Sequence, residues 1–252
     1  MRVSEVNVRT ILSKTNIPGI DYCLNPYTGC AHACSYCYAT FMKKFTGHQE
    51  HWGSFIDVKV NAVELLKKAL RRDHRGEVMM SSVTDPYQPA EATYKLTRGC
   101  LDLLSRSRLK VSILTKSDLV TRDIDILKRM DGVDVGLTVA TDDEAMKRLF
   151  EPASPTVASR MTALKSLNDA GIATYVFIGP ILPMNPEKLA DGLAPFTQRV
   201  LIDRMNYPWK VKSLYRAHKI EYALEESYFE DIEARLLERL AHHGLEARGV
   251  RS

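Results

Sequence analysis

A partial (β/α)6 barrel, TIM-like in the order of its strands and helices, is the α/β fold class this sequence predicts. Three observations set it. Short apolar runs alternate with longer amphipathic ones, six such units follow one another, and no low-complexity stretch or long linker interrupts them. Parallel strands joined by helices need right-handed crossovers, which leaves a doubly wound open sheet or a barrel, and six repeats favour the partial barrel. At 252 residues the chain is long enough for one sizeable core. We therefore expect a single domain, with an N-terminal arm over residues 1–18, a barrel core over 19–205 and a C-terminal helical extension over 206–252.

The elements follow in order. Residues 19–24 form the first strand, running into the turn Asn25-Pro26-Tyr27-Thr28-Gly29 and a cysteine-rich loop. A helix over 58–72 is expected from the helical spacing of Val63, Leu65, Leu66 and Leu70. Residues 77–82 make the second strand, followed by the loop Val83 to Pro89 and a helix over 91–106. The third strand, 110–115, ends at Lys116-Ser117-Asp118 and leads to a helix reaching Met130. The fourth, 133–139, has its return helix delayed by the loop 150–155; that helix runs to Ala170 and is capped by Gly171. A fifth strand over 172–178 ends at Gly179-Pro180, and a sixth spans 199–203. Beyond it, 206–210 is placed to close the barrel mouth, and 222–243 has amphipathic spacing suited to packing on the barrel. In such folds function gathers at the C-terminal ends of the strands.

Charge and hydropathy narrow the classes. A net charge of +4, with clusters at Lys67-Lys68 and Arg71-Arg72 and a tail ending Arg248-Gly249-Val250-Arg251, permits a nucleic-acid partner without requiring one. No apolar run is long enough to span a membrane, and no secretory h-region opens the chain, so a cytoplasmic protein with reduced thiols is expected.

Three of the five cysteines fall in one run, Cys30-Ala-His-Ala-Cys34-Ser-Tyr-Cys37. Thiolates are soft donors for iron–sulfur clusters and zinc, and a [4Fe–4S] cube normally takes four of them, so three imply an iron left open for another ligand. Zinc held by these cysteines and His32 is the alternative, although structural zinc sites usually come as two separated ligand pairs.

The CxxxCxΦC spacing, with aromatic Tyr36 before the third cysteine, resembles the signature of the radical S-adenosylmethionine (SAM) superfamily. The segments Asn25 to Gly29, Ser81 to Glu91 and Gly179 to Pro183 are similar to its spore photoproduct lyase-like branch, often labelled DNA repair photolyase-like. The resemblance implies a partial (β/α)6 barrel of the radical SAM type, a [4Fe–4S] cluster on Cys30, Cys34 and Cys37, and SAM on the open iron. It implies reductive cleavage of SAM to a 5′-deoxyadenosyl radical, with electrons from a flavodoxin- or ferredoxin-like donor. It also implies a SAM shell: Tyr36 beside adenine, Ser82, Thr84 and Asp85 near the methionine end, Lys116 at the ribose or carboxylate, Thr138 in the same shell, and Ile178, Gly179 and Pro180 against adenine.

One departure limits the resemblance. Where authentic spore photoproduct lyases carry a hydrogen-donating cysteine, this sequence has Ser82. A hydroxyl O–H bond is much stronger than a thiol S–H bond, so serine is a poor hydrogen donor to a carbon radical. Cys100 and Tyr38 are the candidates left for catalytic roles, although a small buried hydrophobe is the default for both Cys23 and Cys100. The expected activity is hydrogen abstraction from a substrate that the sequence does not identify, with nucleic acid the first candidate; modification of a peptide or small metabolite, and a zinc-stabilised binding module, are the alternatives.

Overall fold

The computed structural model describes residues 1–250; Arg251, counted above in the basic tail, lies outside the described residues. In chain order the strands are β1 (Arg2–Val6), β2 (Leu12–Lys14), β3 (Tyr22–Leu24), β4 (Tyr27–Thr28), β5 (Phe55–Lys59) and β6 (Gly76–Met80). They continue with β7 (Leu109–Thr115), β8 (Val133–Thr138), β9 (Thr174–Ile178), β10 (Arg199–Ile202) and β11 (Glu246–Gly249). The order β3-β6-β7-β8-β9-β10 is parallel throughout and matches the six strands read from the sequence. β2 extends one edge antiparallel to β3, and β11 extends the other parallel to β10.

Alternation along each strand separates two layers. Val78, Met80, Ile113, Val135, Leu137, Val176, Ile178 and Val200 are fully buried beneath the helices, each contributing about 1.5–3 kcal/mol on removal from water. The intervening residues face the barrel lumen: Cys23 beside Met79, Leu114 beside Gly136, and Thr138 beside Phe177. Ile178 therefore belongs to the helix-facing layer, and the expectation that it meets adenine is corrected by this alternation.

Several helices differ from expectation for identifiable reasons. Residues 58 and 59 belong to β5, whose β-branched and aromatic residues pair in parallel with β1 and antiparallel with β4. The helix begins only at Ala62 (Ala62–Ala69), and the N-terminal arm supplies β1 and β2. The expected helix over 91–106 breaks at Lys95, which has φ +52°. The buried Glu91 carboxylate accepts from the amides of Thr97 (2.9 Å) and Arg98 (3.1 Å), which starts the second piece, Leu96–Leu104, afresh. After β7 only a 3-10 turn and one α-turn form before Lys128. The loop before the long helix Val157–Asp169 holds its own helix, Glu144–Phe150, capped by Asp143. The C-terminal extension is not wholly helical: after Pro208–Ala217 and Glu226–His242 the chain returns to the barrel sheet as β11.

The lower lumen is closed by Tyr175, laid across Gly136. A Cβ at position 136 would sit 2.2 Å from the Tyr175 ring, so only glycine leaves room for it. The Arg199 guanidinium lies 4.9 Å over the other side of that ring and pairs with Asp134. Gly136→Ala should therefore lower stability by about 1–3 kcal/mol through overpacking, read as a reduced urea midpoint; an unchanged midpoint would mean that the ring does not seal the barrel.

Candidate active site

A cavity of about 250 Å³ opens at the C-terminal ends of the barrel strands, and Cys30, Cys34 and Cys37 line one wall of it. The cysteine loop enters through Gly29 at φ +81°, where a Cβ would meet the Phe55 carbonyl oxygen at 2.4 Å. Gln88, fully buried, clamps the loop from the other side: its Oε1 accepts from the Ala31 amide (3.0 Å) and its Nε2 donates to the Gly29 carbonyl (3.3 Å). The Thr84 hydroxyl also donates to that carbonyl. Burial pushes the Cys30 and Cys37 thiols up and the Cys34 thiol to about 12, so loading iron must displace their protons.

Asp85 is the centre of the wall. Its Oδ1 accepts from the Thr115 hydroxyl (2.6 Å) and the Tyr87 amide (2.8 Å), and its Oδ2 accepts from the Lys116 amide (2.8 Å). His32 Nε2 lies 3.2 Å from Oδ2, an ion-pair contact whose angle falls short of a hydrogen bond. Burial alone would raise this carboxyl, but His32, Thr115 and Lys116 outweigh it and hold it at about 2. The carboxylate is thus committed to fastening loops together, and Thr84 likewise; sequence reasoning placed both near the methionine end of SAM.

A second buried carboxylate, Glu151, organises the opposite side. It accepts from the Tyr36 hydroxyl, pairs with the Arg160 guanidinium, and lies 3.7 Å from Lys116 Nζ, which sits 5.7 Å over the Tyr36 ring. Burial opposes ionisation, yet Lys116 and Arg160 bring Glu151 down to about 2, and Glu151 in turn raises Lys116 against its own burial. Arg160 Nη1 also donates to the Thr138 carbonyl at 2.9 Å. Glu151, Arg160 and Gln88 are not marked by any local pattern; the available signal was the position of Gln88 in the loop after β6 and of Glu151 at the end of the helix Glu144–Phe150.

Of the expected SAM shell, Tyr36, Ser82, Thr84, Asp85, Lys116, Thr138, Gly179 and Pro180 line the cavity. Tyr38 lines it and donates to the Ser82 carbonyl, while Asn25 Oδ1 accepts from the amides of Ser82 (2.9 Å) and Val83 (3.1 Å). Ser81, unremarked in the sequence, lines the cavity at φ +68° with its buried hydroxyl unpartnered. Cys100 is fully buried in the helix Leu96–Leu104 and does not line the cavity, so the expectation that it acts in catalysis is corrected: that helix packs on the outside of the sheet.

The donor set fits an iron–sulfur cluster. Three thiols line one wall, no fourth cysteine joins them among the described residues, and a lysine ammonium stands beside them. Among the described residues no three His, Cys, Asp or Glu side chains converge to hold a single ion, and His32 is turned toward Asp85. The model of the radical SAM superfamily matches residues 24–193. This chain belongs to the radical SAM superfamily. The family implies a [4Fe–4S] cluster and SAM as cofactors. An uncharacterized protein of Methanocaldococcus jannaschii is 37% identical over 235 residues, covering 92% of this chain and 86% of that protein. The mycobacterial relatives share 32% identity over 169 residues, and the match spans 50% of their length. Among solved structures, a spore photoproduct lyase mutant with bound AdoMet and dinucleoside spore photoproduct superposes with TM-score 0.68 at 15% identity, over 98% of this chain and 81% of that one. Streptococcus suis SuiB bound to precursor peptide SuiA superposes with TM-score 0.61 at 15% identity, over 94% and 50%. No helix among the described residues is long and apolar enough to cross a membrane.

The linkage of Asp85 gives a pH test. Its carboxyl is depressed from 3.8 to about 2 on folding, so its stabilisation is complete above the unfolded value and is lost as pH falls through the folded one. Asp85→Asn should cost about 2–4 kcal/mol at neutral pH, measured by urea unfolding, and the gap to wild type should close as pH falls from 3.8 toward about 2. A gap that does not change with pH would contradict this role.

Proposed function

We propose that this chain abstracts hydrogen from a nucleic-acid substrate. The observation that carries the hydrogen abstraction is the cavity wall of three thiols without a fourth, facing the Lys116 ammonium at the strand ends; the choice of nucleic acid follows the likeness to a spore photoproduct lyase that binds a dinucleoside. When bound, the cluster and SAM supply a 5′-deoxyadenosyl radical by reductive cleavage. Cys30, Cys34 and Cys37 hold the cluster. Lys116, kept charged by Glu151, attracts the SAM carboxylate or ribose oxygens. Tyr36 is fixed by its hydrogen bond to Glu151 and offers its ring to adenine, with Gly179 and Pro180 completing that wall. Thr138 borders the same space. Asp85, Thr84 and Gln88 act as positioning residues, because their polar atoms are spent on the loops that carry the thiols.

The reaction differs in its last step from a lyase that returns hydrogen from a thiol at position 82. Ser82 holds its hydroxyl near Asn25 Nδ2 (3.4 Å) and supplies no weak S–H bond. Tyr38 borders the cavity as the candidate donor; a hydrogen atom given from its phenol leaves a tyrosyl radical, which one electron from the redox partner and one proton from solvent would restore. A flavodoxin- or ferredoxin-like protein supplies the electron.

The anaerobically reconstituted protein, reduced with dithionite in the presence of SAM, should release 5′-deoxyadenosine. Cys30→Ala, Cys34→Ala and Cys37→Ala should each abolish that release, and Tyr38→Phe should retain it. No 5′-deoxyadenosine from wild-type protein with an intact cluster would refute the reading.

A further inference from the structure

Two arms of exposed aromatic rings flank the cavity mouth. On one side the 3-10 turn Tyr38–Met42 and the helix Lys43–Thr46 place Tyr38, Phe41 and Phe45 at i, i+3 and i+7, on one face. Tyr38 and Phe41 stack with centroids 6.4 Å apart, and Phe41 meets Phe45 edge-on at 6.1 Å. This ladder starts at the cavity and ends in solvent, where Phe45 is 75% exposed. On the other side Tyr207 lines the cavity and meets Trp209 edge-on at 5.2 Å, and Trp209 is 68% exposed. Lys210 Nζ donates to the Thr40 hydroxyl, which joins the arms into one surface.

The charge of this surface is mostly positive, although Asp203 lines the cavity beside it and Arg204 is spent on Glu226 and Glu233. Residues 204–220 hold five Lys or Arg and no Asp or Glu, and residues 38–49 hold Lys43 and Lys44 and no Asp or Glu. Some surface arginines are paired, Arg235 with Glu187 and Arg239 with Asp191, while others, such as Arg71, Arg72 and Arg148, have no carboxylate partner among the described residues. Lys44, Lys212 and Arg216 have no carboxylate partner among the described residues. On the helix Pro208–Ala217, Trp209, Lys212 and Arg216 recur at i, i+3 and i+7, so ring and cations share one exposed face.

Exposed rings interleaved with unpaired cations match the two repeating parts of a single nucleic-acid strand: flat bases that stack and phosphates that need positive charge. Because the rings begin inside the cavity rim, their occupant must deliver a group into it. A base within a duplex cannot do so without leaving its stack. We propose that the two arms bind an unpaired stretch of DNA, with bases on Phe41, Phe45 and Trp209 and phosphates on Lys44, Lys212 and Arg216. One base turns past Tyr38 and Tyr207 into the cavity. The proposal rests on the reading of this chain as a radical SAM enzyme with a nucleic-acid substrate, and names the form of that substrate.

The test is fluorescence anisotropy of a labelled mixed-sequence DNA strand of about 12 nucleotides, titrated anaerobically with the reconstituted protein. Affinity should fall more than about tenfold between roughly 50 and 200 mM salt. Phe45→Ala and Trp209→Ala should each weaken binding by about fivefold or more, with circular dichroism unchanged because both rings are exposed. Lys212→Gln and Arg216→Gln should each reduce the salt slope by about 0.7, and Lys67→Gln, on a helix remote from the cavity lining, should leave it unchanged. The proposal is overturned by absent binding, by wild-type affinity in both ring variants, or by tighter binding of the matched duplex, the matched RNA strand, the same length of peptide, or anionic vesicles. Formation of 5′-deoxyadenosine is read separately on the wild-type protein. Strand binding without it removes the radical reading and leaves the surface standing; its formation without strand binding removes the surface alone.

Discussion

One buried carboxylate, that of Asp85, ties together the segments from which the cavity is made. Ionised carboxylates cost several kcal/mol to bury unless donors replace the lost water. Here the donors come from two segments, the end of β7 through Thr115 and Lys116 and its own loop through Tyr87, and the cysteine loop adds the His32 ring 3.2 Å from Oδ2. Losing any one of them would leave the charge undersolvated, so the three segments are held in register. The thiols inherit that order, because Thr84 and Gln88 from the same loop fasten Gly29 and Ala31.

Glu151 does for the opposite wall what Asp85 does for the first. It gathers Tyr36, Arg160 and Lys116 around one carboxylate. One negative and two positive groups leave an excess of positive charge at the side of the cavity that the largely buried Lys116 lines. Such a wall suits a cofactor carboxylate and keeps the ammonium charged despite burial. Since Arg160 also holds the Thr138 carbonyl, the network reaches from the cysteine loop to the end of β8. The two carboxylates thus divide the labour: one fixes where the thiols stand, and the other fixes the charge they face.

The barrel was legible because its parallel strands are buried on both faces and read as short apolar runs, such as Val78-Met79-Met80 and Tyr175-Val176-Phe177-Ile178. The cysteine triad was legible because its spacing is local. What escaped shares the opposite character. The Glu151–Arg160 pair and the Gln88 clamp join residues on separate elements, and nothing local marks either as buried. Ile178 was placed one residue out, which in a strand means the wrong face. Val58 and Lys59, the end of β5, were absorbed into a helix because their partner β1 is more than 50 residues away in the chain, and Cys100 looked reactive only as long as its helix had no face.

The account turns on an iron left open by a three-thiolate loop. Electron-nuclear double resonance on the reduced holoprotein with SAM carrying a 15N-labelled amino group addresses that point directly. The account predicts a 15N coupling to the cluster and a shifted electron paramagnetic resonance signal on SAM addition, both lost when any one of Cys30, Cys34 and Cys37 is replaced. A cluster whose signal is unmoved by SAM, with no 15N coupling, would show that its fourth position is closed and would contradict the account.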